Sequence, residues 1–174
     1  MKRLPRQSLT ARLEMRLLGP EDDSLMLEVL NDPGFVAKVG DRGVRSLEAA
    51  RRYIEQGAVA SHAHSGLGVY RLGVSGTGEA AGICGLFQRA WLAWPDVGFA
   101  LLPAHRARGY ALEATQAVLA LGFETLGLPR IGAITSAGHH RSIHVLERAG
   151  MWFEGFVLPD GEAEELRLYV KDRT

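Results

Sequence analysis

The clearest chemistry in the sequence lies in Leu102-Pro103-Ala104-His105-Arg106-Ala107-Arg108-Gly109-Tyr110-Ala111. An apolar strand pattern ends, a basic turn containing a glycine follows, and a helical pattern begins. The first N–H groups of a helix lack internal partners and, with the helix dipole, form a site for an anion. Gly109 lets the backbone approach a ligand, Ala111 is small enough for tight packing, and Arg106 and Arg108 add positive charge. A pyrophosphate suits such a place. The same residues also read as a strand–helix turn with solvated arginines, and neither G-x-G-x-x-G nor a Walker A loop is present.

Other reactive side chains carry weaker signals. Cys84 is the only cysteine. It lies in an apolar strand pattern, where a free thiol is a core residue. One cysteine excludes an internal disulfide framework and fits a reducing, cytoplasmic compartment. His140 and His144 are spaced i, i+4, as a zinc site uses, but no third ligand stands at metal-site spacing, so no metal is expected. His62 and His64 fall in an expected exposed loop. The stretch Arg89-Ala90-Trp91-Leu92-Ala93-Trp94 could line a pocket, form a homodimer contact or cover the core edge. Asp160, Glu162, Glu164 and Glu165 read as an acidic hairpin that attracts a cation or is simply solvated.

Composition narrows the function classes. The chain has 174 residues, 47% hydrophobic and 23% charged, with 20 basic and 20 acidic residues and a formal net charge of 0. No general basic field is available for nucleic acid. No apolar run approaches the roughly 20 residues that span a bilayer. The start Met1-Lys2-Arg3-Leu4-Pro5-Arg6 is basic with no apolar stretch after it, unlike a secretory signal. The expectation is a disordered basic arm over residues 1–9 and one domain over 10–174.

The elements that must position these residues follow from periodicity. Thr10–Leu18 alternates as a half-buried strand. Glu21–Leu30 is a helix stopped by Asn31-Asp32-Pro33-Gly34, and Ser46 caps a second helix to Gln56. Strands are expected over 67–72, 80–88 and 95–102, the first two joined by a turn at Ser75–Gly78. The longest helix runs from Gly109 to about Leu126. It is followed by a strand at Arg130–Thr135, a helix at Ser142–Ala149 and strands at Met151–Leu158 and Glu165–Val170, with a turn at Pro159-Asp160-Gly161. Early hairpins followed by strand–helix alternation predict an α+β protein with a mixed sheet.

Arg106-x-x-Gly109-x-Ala111 resembles the central R/Q-x-x-G-x-G/A motif of the GCN5-related N-acetyltransferase (GNAT) family. Gly109-Tyr110-Ala111-Leu112-Glu113-Ala114 is similar to the G-Y-A-T-E-A run of the ribosomal-protein N-terminal acetyltransferase branch. Leu126–Ile131 resembles its L-G-L-x-R-I, and Arg141–Met151 its R-S-x-x-V-L-E-K-x-G-F helix. The resemblance is strong over Ala80–Phe156 and looser from Leu13 onward. It implies a central, mostly antiparallel sheet with helices on both faces, splayed between the strands Val97–Leu102 and Arg130–Thr135. It implies acetyl-coenzyme A as co-substrate, with the pantetheine arm in the splay and the pyrophosphate on the amides of Arg106, Ala107, Arg108, Gly109 and Tyr110.

The resemblance also implies direct attack by a primary amine, either a peptide N-terminus or a small amine, without an acyl-enzyme. A backbone N–H around Phe99, Ala100 and Leu101 would stabilise the oxyanion. Asp96 stands where relatives carry a basic carboxylate, though a turn carboxylate after Pro95 reads equally well. Ser142 matches a serine that meets the coenzyme sulfur, and it also reads as a helix N-cap. Tyr110 is mostly structural. His139 replaces the family's asparagine. It could preserve a coenzyme contact, act as acid or base, or mark a non-catalytic module that only binds acyl-coenzyme A. A nucleotide-phosphate binder would use the same turn.

Overall fold

Residues 1–159 and 163–174 are described by the computed structural model. Strand β1 (Gln7–Leu9) pairs antiparallel with β2 (Leu13–Leu17), in which Leu13 and Met15 are buried and Glu14 is exposed. The expected disordered arm is therefore not what the structure shows. Leu4 is buried, its N–H bonds the Gly66 carbonyl at 2.9 Å, and the Tyr70 hydroxyl donates to the Pro5 carbonyl at 2.8 Å. Burial of one leucine and strand pairing order this segment, neither of which the basic composition signals.

A short 3-10 turn leads into α1 (Asp23–Asn31), and α2 (Pro33–Val39) follows directly. The stop expected at Asn31–Gly34 holds, since α1 ends at Asn31, and the same residues also start α2. The Asp32 carboxylate accepts the Phe35 N–H at 2.9 Å, and Pro33 takes the first helical position, where its missing N–H costs nothing. Helix α3 (Leu47–Ile54) is capped by Ser46, whose hydroxyl accepts the Ala49 N–H at 3.1 Å. A π turn at Glu55–Val59 continues into α4 (Ala60–Ser65). The expected loop histidines therefore lie on a helix. His62 is half-buried, with Nε2 3.0 Å from the Leu4 carbonyl, and His64 is exposed.

Strands β3 (Val69–Val74), β4 (Ala80–Phe87) and β5 (Asp96–Leu101) precede the long helix α5 (Tyr110–Leu121), extended by a π turn to Leu126. Strand β6 (Arg130–Thr135), helix α6 (His140–Arg148) and strands β7 (Trp152–Val157) and β8 (Leu166–Asp172) complete the order. Part of the turn expected at Pro159–Gly161, and the acids Asp160 and Glu162, lie outside the described residues.

The sheet order is β1-β2-β3-β4-β5-β6-β8-β7. All neighbours are antiparallel except β5 and β6, which run parallel and meet only at Asp96↔Gly132. Strand alternation sends Tyr70, Leu72, Cys84 and Leu86 to one face, against Ala114 and Val118 of α5 and Leu146 of α6. Val69 and Ile83 go to the other face, against Val29 and Leu30 of α1 and Ile54 of α3. Helices thus cover both faces of a mixed sheet, as expected.

Candidate active site

Beyond Asp96↔Gly132 the two central strands part. A cavity of roughly 890 Å³ fills the gap, reaching from Trp91 and Phe87 to His139 and Ser142. Backbone direction along β5 follows from its bonds. The Pro95 carbonyl accepts from Gly132 on the β6 side, whereas the Leu102 N–H donates to Ala81 on the β4 side. Alternation then turns the N–H groups of Phe99 and Leu101 into the gap and that of Ala100 toward β4.

The basic turn sits beyond the end of β5. Ala107 (φ 58°) and Gly109 (φ 82°) are left-handed, and Gly109 is the N-cap of α5 with no side-chain cap. Among the described residues the N–H groups of Ala107, Arg108, Gly109, Tyr110 and Ala111 have no acceptor. Unbonded amides in a left-handed turn at a helix start have the geometry of an anion cradle.

The turn's arginines behave differently from a pair of free charges. Arg106 donates through Nε to the Leu101 carbonyl at 3.0 Å and through Nη2 to Asp32, so it ties the turn to the start of α2. Burial raises the Asp32 carboxyl, but the Arg106 and Phe35 bonds outweigh it and hold it below the usual range. Arg108 is exposed. Its carbonyl accepts from Arg12, whose guanidinium also stacks on Tyr110 at 4.9 Å. Glu113 completes a brace. It accepts from the Thr10 hydroxyl at 2.6 Å, from the Arg12 N–H at 2.7 Å and from Arg12 Nε at 2.7 Å. Sequence reading missed Thr10 and Arg12, because the partners lie about a hundred residues apart and nothing local marks them. Tyr110 is buried as a structural ring.

Ser142 is buried inside the first turn of α6, whose N-cap is His139, so Ser142 is not itself the cap. Its hydroxyl lines the cavity and has no bonding partner among the described residues. His139 also lines the cavity. Burial lowers its basicity, and Lys38, Arg141 and Arg106 lower it further, which favours the neutral imidazole. Thr135, which the sequence did not single out, ends β6 on the cavity wall with a buried Oγ1 that bonds nothing.

Asp96, expected either as a base or as a turn carboxylate, begins β5 and is buried. Its side chain is 1% exposed, and both oxygens accept from Arg89 Nε, at 3.0 and 3.1 Å. Burial raises its carboxyl despite the opposing Arg89 charge. Leu92 is buried at the core edge, Trp91 borders the cavity, and Trp94 lies under the Arg130 guanidinium at 5.3 Å. Cys84 is fully buried in the core, its thiol pushed up to about 12 by desolvation. No group of three potential metal ligands occurs among the described residues. No helix is long and apolar enough to cross a membrane among those residues.

A sheet splayed between two parallel strands, with an amide-lined turn beyond the end of β5, defines a protein of the acyl-coenzyme A acyltransferase class. Residues 12–152 match the family described as an acetyltransferase (GNAT) domain, and the chain belongs to that family. It is accordingly an acetyl-coenzyme A-dependent acyltransferase. An uncharacterized N-acetyltransferase of Bacillus subtilis (strain 168), YoaA, is 26% identical over 84% of this chain and 82% of its own length. The crystal structure of an acetyltransferase from Agrobacterium tumefaciens str. C58 superposes with a TM-score of 0.80 at 27% identity, covering 95% of this chain and 93% of that one. A spermidine N-acetyltransferase from Vibrio cholerae, in complex with CoA and spermine, shares the fold with a TM-score of 0.76 at 15% identity, over 92% and 95% of the two chains.

Proposed function

We propose that this protein moves an acetyl group from acetyl-coenzyme A to a primary amine by direct attack. The observation that carries the reading is the row of open amides from Ala107 to Ala111, in the turn beyond the end of β5 on the side where β5 and β6 have parted. The residues present suit the coenzyme. The left-handed turn admits a diphosphate, the gap has amides on one wall, and the orphaned Thr135 hydroxyl offers a partner to a pantetheine amide. When bound, the coenzyme supplies an activated thioester.

The chain's own groups then have distinct tasks. The N–H of Phe99 or Leu101 stabilises negative charge gathering on the carbonyl oxygen, a contribution of roughly 3 kcal/mol for one such donor. Ser142 Oγ donates a proton toward the sulfur position. His139, which favours its neutral form and borders the cavity, accepts the proton of the incoming amine directly or through water. Asp96 orients Arg89 rather than acting as the base. Arg106 positions the turn through Asp32 and Leu101, while the backbone of Ala107, Arg108, Gly109, Tyr110 and Ala111 meets the anion. Ala100 contributes its small side chain to the cavity wall.

The motif runs Gly109–Ala114 and Arg141–Met151 support placement in the ribosomal-protein N-terminal acetyltransferase branch, hence a peptide α-amine as acceptor. An α-amine titrates near pH 8, so a weak base such as His139 suffices. The test is an amine and peptide panel read by release of free coenzyme thiol, alongside calorimetric titration of coenzyme A. Amine-dependent release is expected. Tight coenzyme binding without release for every amine would make this a binding module instead.

A further inference from the structure

The cavity between β5 and β6 has an unusual charge balance. Among the described lining residues the charged side chains are Lys38, Arg42, Arg89 and Asp96. The single carboxylate is already paired with Arg89. The described lining thus carries three cations against one anion, a balance of 3 − 1 = +2, and no unpaired carboxylate occurs among the described lining residues.

Arg89 is built to receive an anion. Its Nε grips both oxygens of Asp96, a buried anchor that fixes the guanidinium plane. The guanidinium lies 5.9 Å from the Trp91 ring centroid, which limits its swing. Neither terminal nitrogen has an acceptor among the described residues, and the side chain keeps 35% exposure. A planar fork held at its inner edge and open at its outer edge matches a carboxylate. Arg42 is exposed, also lines the cavity, and forms no ion pair among the described residues. A polycation would meet like charges here.

We infer that the acceptor carries a carboxylate within a few atoms of its amine, and that Arg89, helped by Arg42, is the specificity-determining residue that reads it. The inference rests on the amine-acetyltransferase reading and narrows its substrate class. A free acidic amino acid and a peptide with an acidic N-terminus share this chemistry. Both exclude polyamines as preferred acceptors.

The test uses the whole protein and three peptides that differ only after the first residue: Ser-Asp-Glu, Ser-Asn-Gln and Ser-Lys-Lys, each extended by the same neutral tail. Free glutamate, free aspartate and spermidine complete the panel. Thiol release gives kcat/KM, and calorimetry gives binding without turnover. The acidic peptide or an acidic amino acid is expected to exceed its neutral counterpart by about tenfold, with the advantage shrinking as salt rises. The two arms separate peptide from amino acid.

Arg42→Glu should remove most of that preference while leaving the acetyl-coenzyme A Kd and Tm unchanged. Arg89→Lys keeps a positive partner for Asp96 and removes the fork, so KM for the acidic acceptor should rise more than kcat falls. Preference for spermidine or Ser-Lys-Lys overturns the inference and leaves the acetyltransferase reading intact. Binding of the acidic peptide without thiol release upholds the anion subsite and overturns the reaction. Absence of charge preference in both binding and turnover overturns the subsite.

Discussion

Substituting Gly109 separates backbone strain from charge. Gly109 has φ +82°, and an added Cβ would lie 3.0 Å from an Arg12 guanidinium nitrogen. That nitrogen is the far end of a flexible side chain, so the contact can relax. The left-handed backbone cannot, and an L side chain there costs roughly 1–2 kcal/mol. Gly109→Ala should therefore lower Tm by about 2–8 °C. It leaves the open amides in place, so coenzyme A affinity should fall only a few-fold. Gly109→Glu adds a carboxylate to the same turn. At about 6 Å from one phosphate charge, with an effective dielectric near 20, the repulsion is roughly 2.8 kcal/mol, on the order of a hundredfold in Kd. Calorimetric titration of coenzyme A against the parent protein and both variants, each first checked by thermal melting, reads the two effects apart. A folded Gly109→Glu variant that binds within about threefold of the parent would refute the assignment of the diphosphate to this turn.

Ser142→Ala should reduce kcat by about a hundredfold with little change in acetyl-coenzyme A Kd, as measured by thiol release and calorimetry, because a proton donor acts mainly in the transition state. Burial and the nearby cations hold His139 below its ordinary value. The base must be unprotonated, so the limb of kcat that reports His139 should lie below the ordinary histidine value of about 6.5, while kcat/KM also carries the free amine's own titration at about pH 8. A pH–rate profile of Lys38→Glu should show the limb moved upward. Burial pushes the Glu113 carboxyl up, but its bonds to Thr10 and Arg12 hold it below the usual range. Its stabilising contribution is therefore complete above the unfolded value and disappears as pH falls through the folded one. Glu113→Gln should cost about 0.5–1 kcal/mol near neutral pH and progressively less as pH falls through the folded value, read by urea melts across that range.

Much of the fold was legible because its signals are local. The alternation at Leu13–Leu17, the Ser46 cap and the glycine before α5 each act within a few residues, and the structure shows an element at each. Elements defined by distant partners were not legible. β1 exists because β2 offers an edge, and Leu4 is ordered by a pocket near Gly66 and Tyr70. The Asp32-Pro33 pair showed the end of α1 but not the start of α2, because the residues that stop one helix also start another. At the site, the turn and Ser142 were visible as motifs. The Asp96–Arg89 and Arg106–Asp32 pairs were not, since only the folded chain reveals which charges are already matched.

Cys84 has a practical corollary for every assay above. The sole sulfhydryl of the chain is sealed beneath α5 and resists ionisation. Disulfide exchange requires an accessible thiolate. A chromogenic disulfide dye should therefore register liberated coenzyme while ignoring the native polypeptide. In denaturant the same dye becomes a counter of opened molecules, one equivalent per chain, so a single reagent reports turnover in one buffer and global unfolding in another.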